Sequence, residues 1–184
     1  MTKYDFELII QLNTDENPDD YIDALYEAGC DDATPGTGEK GYLALSFTRE
    51  AVDAVDAIAS ALENVRTAIP HANLLRVEPY LLNLSELAFQ FGFTKQNIQK
   101  YARAKAANKH TPFPRPFIEG KTSYWSIYDV ANWLNDEGIV AIDKHVIEML
   151  FVINVLNLEI EKKHQPKPTA VMANKIEKIL ENVA

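Results

Sequence analysis

The chain has 184 residues, 47% of them apolar, and a formal net charge of -9, which suffices for a core of normal size and excludes a disordered polyelectrolyte. A single cysteine, Cys30, excludes an internal disulfide, and the polar opening MTKYDFE has neither a signal-peptide pattern nor an Arg-rich leader, so a reducing cytoplasm is expected. The longest apolar stretch, residues 146–158, contains Glu148, Asn154 and Asn157 and falls short of the ~20 residues of a membrane span; it predicts a buried helix and no membrane partner.

Residues 4–12 (YDFELIIQL) alternate as a strand. Asn17 and Pro18 then supply an N-cap and first position for a helix reaching Ala28, which Gly29 stops. A short strand near residues 31–34, a Gly-rich turn (PGTGEKG) and a strand at 42–48 follow. Val52, Val55, Ile58, Ala59, Leu62 and Val65 recur at helical spacing before Pro70, and residues 73–77 form a last strand. The order β-α-β-β-α-β predicts a ferredoxin-like domain over residues 1–79 within an α+β chain. This domain holds 16 acids against 5 bases. Three roles suit it: a small-ligand sensor, a homo-oligomerisation surface, or a dock for another protein.

Neither of two tempting motifs in this domain carries chemistry. Gly36, Gly38 and Gly41 do not follow a dinucleotide or P-loop spacing, and Glu39 opposes an anion, so the loop reads as a hairpin turn. Asp15, Glu16, Asp19, Asp20 and Asp23 lack the central glycine and terminal glutamate of a calcium loop and read as a solvated helix start. His71, His110, His145 and His164 show no metal-ligand pairing. With no nucleophile, base and orienting group at usable spacing, an enzyme is the least favoured class, and neither cofactor nor metal is expected.

After Pro79, Asn83 and Glu86 make a capping-box pair for a short helix with Leu84, Leu87, Ala88 and Phe91 on one face. Gly92 takes its C-terminal left-handed position, and Thr94 caps a second helix over residues 94–107 with Ile98, Tyr101 and Ala102 inward. The charge pattern coincides with this helix-turn-helix. Residues 94–125 carry Lys95, Lys100, Arg103, Lys105, Lys109, Arg115 and Lys121 against Glu119 alone, a +6 window in a chain whose remainder is -15. Cations at such density neutralise phosphates, and Gln96 and Gln99 among them are side chains able to bond adenine edges. A solvated surface patch is the bland alternative.

Further on, HTPFPRPFIEGKTSYW reads as a wing, with Glu119 and Gly120 turning between residues 117–118 and 123–125. Ser126 caps a third helix whose inner side is Ile127, Val130, Ala131, Trp133 and Leu134. Together, LNLSELA (82–88), GFTKQNI (92–98), FPRPF (113–117) and WSIYDV (125–130) with Trp133 and Leu134 resemble the winged helix-turn-helix domains of the MerR superfamily, especially the small AlpA or excisionase-like regulators, over residues 81–136. The resemblance implies that the 94–107 helix enters the major groove through Thr94, Lys95, Gln96, Gln99, Lys100 and Arg103. Arg115, Lys121, Thr122 and Tyr124 would hold the backbone or minor groove beside it. In that family the domain lies at the N-terminus or stands nearly alone, whereas here it follows an acidic domain, and no cysteine follows it for metal or thiol sensing.

Beyond residue 137 lies a helical region. Ile142, Val146, Met149, Ile153, Leu156 and Ile160 alternate at four and three, the seam of a packing helix. It could pair with its two-fold mate, or the helix could fold against residues 170–183, where Met172, Ile176, Ile179 and Val183 form a second seam. The combined expectation is a sequence-specific double-stranded DNA-binding transcriptional regulator, a homodimeric repressor of bacterial or phage type. Its rivals are an excisionase-like recombination accessory protein and a protein-interaction module of the antitoxin or phage-defence kind, using the acidic domain as a dock.

Overall fold

A computed structural model describes residues 1–36, 38–103 and 111–181. The described residues form a mixed α+β structure with a four-stranded antiparallel sheet and seven α-helices. Strands β1 (Thr2–Gln11), β2 (Ala33–Gly36), β3 (Tyr42–Ala51) and β4 (Asn73–Glu78) lie in the order β2-β3-β1-β4. Alternation decides which face is buried. Tyr4, Phe6, Leu8 and Ile10 of β1 and Leu43, Leu45 and Phe47 of β3 point into a core covered by α1 (Ile22–Glu27), α2 (Ala54–Ala68) and α6 (Lys144–His164). The opposite face is polar, and its cross-strand neighbours pair: Thr48 Oγ1 donates to Asp5 (2.7 Å) and Ser46 Oγ to Glu7 (2.8 Å).

Several sequence expectations shift. The helix from Pro18 splits into a 3-10 turn (Pro18–Tyr21) and the short α1, with Gly29 at φ 93° ending it, and the strand foreseen at 31–34 begins two residues later. Helix α2 buries Ala54, Ala57, Ile58, Ala61 and Val65, while Val52 and Val55 stay exposed. Its inner face is mostly alanine because small side chains let the helix backbone approach the sheet, where α2 also meets α6.

A second core gathers Leu87, Ala88, Ile98, Trp125, Ile127, Val130, Ala131, Trp133, Leu134 and Leu150. It joins α3 (Leu84–Gln90), α4 (Lys95–Arg103) and α5 (Ile127–Asp136), and a two-stranded ribbon of β5 (Leu81–Leu82) and β6 (Trp125–Ser126) closes it. Helix α6 belongs to both cores: Met149, Ile153 and Ile160 lie in the sheet core, and Leu150 in the second. The boundaries drawn at 79 and 137 therefore do not isolate the C-terminal region as a unit.

This also corrects the proposed dimer seam. Met149, Ile153 and Ile160 are buried on the sheet, Leu156 packs partly against the same core, and Ile142 packs on the second core, which leaves Val146 alone of the six exposed. The seam is occupied within the chain because β4 is an edge strand and α6 covers the apolar surface beside it. Among the described residues, helix α7 (Ala170–Leu180) buries none of its residues and joins neither core, so they form no folded-back hairpin; Val183 of the expected seam lies outside the described residues. No helix among the described residues is long and apolar enough to cross a membrane.

Candidate nucleic-acid interface

The α3–α4 pair is assembled by local chemistry. Asn83 Oδ1 accepts from the Ser85 and Glu86 amides (2.8 and 3.2 Å), and Glu86 Oε2 accepts in return from the Asn83 amide (2.8 Å), a complete capping box on α3. Gly92 has φ 70°, a conformation that side chains with a Cβ resist, and it turns the chain toward α4. Thr94 starts that helix, its Oγ1 accepting from the Asn97 amide at 3.3 Å. Ile98, fully buried, pins α4 against Leu87 and Ala88.

An aromatic chain fixes the third helix and the loop around this pair. Phe93 meets Tyr101, Tyr101 meets Trp133 at 5.4 Å between centroids, Trp133 meets Phe113 at 5.0 Å, and Phe113 meets Trp125. Both indole N–H groups are used on the loop: Trp125 Nε1 donates to the Pro114 carbonyl (3.1 Å) and Trp133 Nε1 to that of Thr111 (3.2 Å). Thr111 is held further by Glu137, which accepts from its amide and hydroxyl at 2.8 and 2.7 Å. The FPxPF segment is therefore clamped by the tryptophans of the WSxxDVxxWL segment, which explains their joint presence.

Where the sequence leads one to expect a wing hairpin, the pairing is smaller. Ile118 and Tyr124 form one antiparallel bridge, while Trp125 and Ser126 pair with Leu82 and Leu81 rather than with residues 117–118. Ser126 remains the N-cap of α5, accepting from the Asp129 amide at 3.3 Å, and the five inner residues foreseen for that helix are all buried.

Gln96, Gln99, Lys100 and Arg103 together line one shallow surface depression on α4. Thr94 and Lys95 are exposed at the start of the same helix. Arg115, Lys121 and Thr122 are exposed on the loop before β6 and Tyr124 is half-buried in its bridge, but none of them lines that depression. Among the described residues no carboxylate forms an ion pair with Lys95, Lys100, Arg103, Arg115 or Lys121. Lys105, Lys109 and the end of the helix expected to reach residue 107 lie outside the described residues.

Sequence reasoning missed Phe89, whose side chain is 89% exposed on α3. Its signal was there: Phe89 falls out of phase with Leu84, Leu87, Ala88 and Phe91. The acidic domain also contains a polar cluster that the sequence did not announce. Arg49, 7% exposed, donates from Nε and Nη2 to Asp32 (2.9 and 2.8 Å), from Nη1 to Asn64 (2.7 Å) and from Nη2 to the Gly29 carbonyl (2.8 Å), and it lies over the Phe47 ring. Asp32 raises the Arg49 pKa, and burial pushes the neighbouring Cys30 thiol up, away from a reactive thiolate. With its donors occupied, this cluster fastens α1, α2 and β3 and offers no open ligand group.

No group of three or more His, Cys, Asp or Glu among the described residues is placed to hold a metal ion. No family model, curated protein or solved structure matches the chain.

Proposed function

We propose that the chain is a sequence-specific double-stranded DNA-binding transcriptional regulator, acting as a dimeric repressor in the cytoplasm. In this reading residues 81–136 are a MerR-like winged helix-turn-helix, and the sheet of order β2-β3-β1-β4 is a ferredoxin-like regulatory or docking domain. The observation that carries it is the outer face of α4: Gln96, Gln99, Lys100 and Arg103 line one surface depression, with no carboxylate among the described residues paired to its cations, on a helix whose other face is anchored by Ile98. Cations that need no internal partner are available to phosphates, and the two amides between them suit base edges. Their placement on the second helix of the turn matches the groove-entering element of helix-turn-helix proteins.

The acidic domain supports a complementary role. Its charge disfavours DNA, while its polar sheet face, with Asp5, Glu7 and Glu50, suits a protein partner. Selection of bound duplexes from a randomised pool at about physiological salt tests the reading. Recovery of an inverted repeat with half-sites near one helical turn apart is the expected result. A pool that stays random would reject sequence-specific binding, and capture of a stoichiometric protein in its place would favour the interaction-module reading.

A further inference from the structure

Two apolar stripes stay largely exposed among the described residues at the C-terminal end of the fold. On α6, one side carries Phe151, Val155 and Leu158, exposed by 48, 43 and 40%, with the Phe151 ring meeting Tyr128 of α5 at 5.4 Å along one edge of the stripe. On α7, Met172, Ile176 and Ile179 are exposed, with Val171 and Leu180 beside them. Both stripes have the spacing i, i+4, i+7 of helices that pack together. An isolated helix of 11 residues is marginal in water, so α7 needs a surface to lie on.

In the structure α7 does not lie on its own α6, since none of its described residues is buried. Gln165 and Lys167 each precede a proline, which drives them toward extended backbone; Gln165 has ψ 144° and Thr169 ψ 157°. Five residues in that form carry α7 about 15 Å onward from the end of α6. A reciprocal arrangement satisfies both stripes at once. We infer that two copies of the chain pair by exchanging α7, the Met172-Ile176-Ile179 stripe of each lying on the Phe151-Val155-Leu158 stripe of the other. The side chains named expose on the order of 700 Å² of apolar surface per copy, close to the ~800 Å² per partner of a standard interface. This names the two-fold partner that the DNA-binding reading requires and rests on that reading for its purpose, although the surface itself does not depend on DNA.

Sedimentation of the full chain without DNA tests it. The wild type sediments as a dimer at tens of micromolar. Val155→Asp and Ile176→Asp, both at exposed positions, each give a monomer with unchanged helical circular dichroism. Mixing these two monomers yields a mixed dimer weaker than the wild type, because the intact α7 of the first variant meets the intact α6 of the second while the other contact carries both aspartates. A monomeric wild type, a dimer that survives Val155→Asp, or a mixture that associates no more than either variant alone would each overturn the exchange. Duplex selection reports separately: a dimer that enriches no sequence leaves the exchange standing and removes the DNA-binding reading.

Discussion

The carboxamide of Asn157, on α6, bonds both main-chain groups of Val77, on β4: its Oδ1 accepts from the Val77 amide at 2.8 Å and its Nδ2 donates to the Val77 carbonyl at 2.7 Å. Only β1 flanks β4 in the sheet, so Asn157 takes the place that a further strand would fill on the outer edge. At 1% exposure no water competes for these bonds. Asn157→Leu leaves a buried N–H and C=O unpaired and should cost roughly 2–4 kcal/mol in urea unfolding. A loss below about 1 kcal/mol would show that the edge is satisfied by other means.

On α4 the expectation is a loss of affinity without a loss of fold. Lys100→Ala or Arg103→Ala should weaken duplex binding at moderate salt, by about 1–3 kcal/mol where a base contact is removed, and lower the salt slope by ~1 where only a phosphate is lost. Titration by fluorescence anisotropy at several salt concentrations separates the two. Unchanged binding for both variants would move the interface elsewhere.

Arg49 predicts a stability effect in the acidic domain. Arg49→Met strands Asp32 and removes donors from Asn64 and Gly29, so a cost of about 3–5 kcal/mol is expected in chemical denaturation. Asp32→Asn, which keeps the shape but discards the charge, should cost less. Equal costs would mean that the ion pair carries nearly all of the cluster's contribution, whereas a negligible cost for Asp32→Asn would assign it to the other hydrogen bonds of Arg49 and its packing over Phe47.

Glu16 introduces an acid limb. Hydrogen bonds from His71 first and Asn13 second draw its carboxyl from 4.5 down to about 2. A carboxyl whose folded pKa is depressed stabilises the fold above its unfolded pKa and loses that contribution as pH falls from about 4.5 to 2. Thermal unfolding across this window should therefore fall more steeply for the wild type than for Glu16→Gln. Parallel curves would remove the pair from the acid response.

Features encoded within a few residues were legible in the sequence. The Asn83-Glu86 box, the left-handed Gly92, the Thr94 and Ser126 caps and the inner face of α5 all lie where local chemistry puts them. Features set by distant surfaces were not. Asn157 reads as an interruption of an apolar run, since its partner is 80 residues away. The α2 face was misjudged because large valines outweigh alanines in any hydrophobic pattern, whereas close approach to the sheet and α6 selects the alanines. The α6 seam was recognised as apolar, but its spacing alone does not say whether a second chain or the chain's own sheet covers it. Ile153, fully buried on that sheet, therefore cannot serve as a clean probe of dimerisation.

Because α6 supplies side chains to both cores, the acidic and basic halves of the chain cannot be cut apart at Pro79. The first 79 residues alone would bare the sheet where Met149 and Ile153 belong, and the remainder would carry those side chains into water. The helix that packs beneath the acidic sheet is thus the same helix that braces α3, α4 and α5. Charge of one sign is held at a set distance from charge of the other by a single rod.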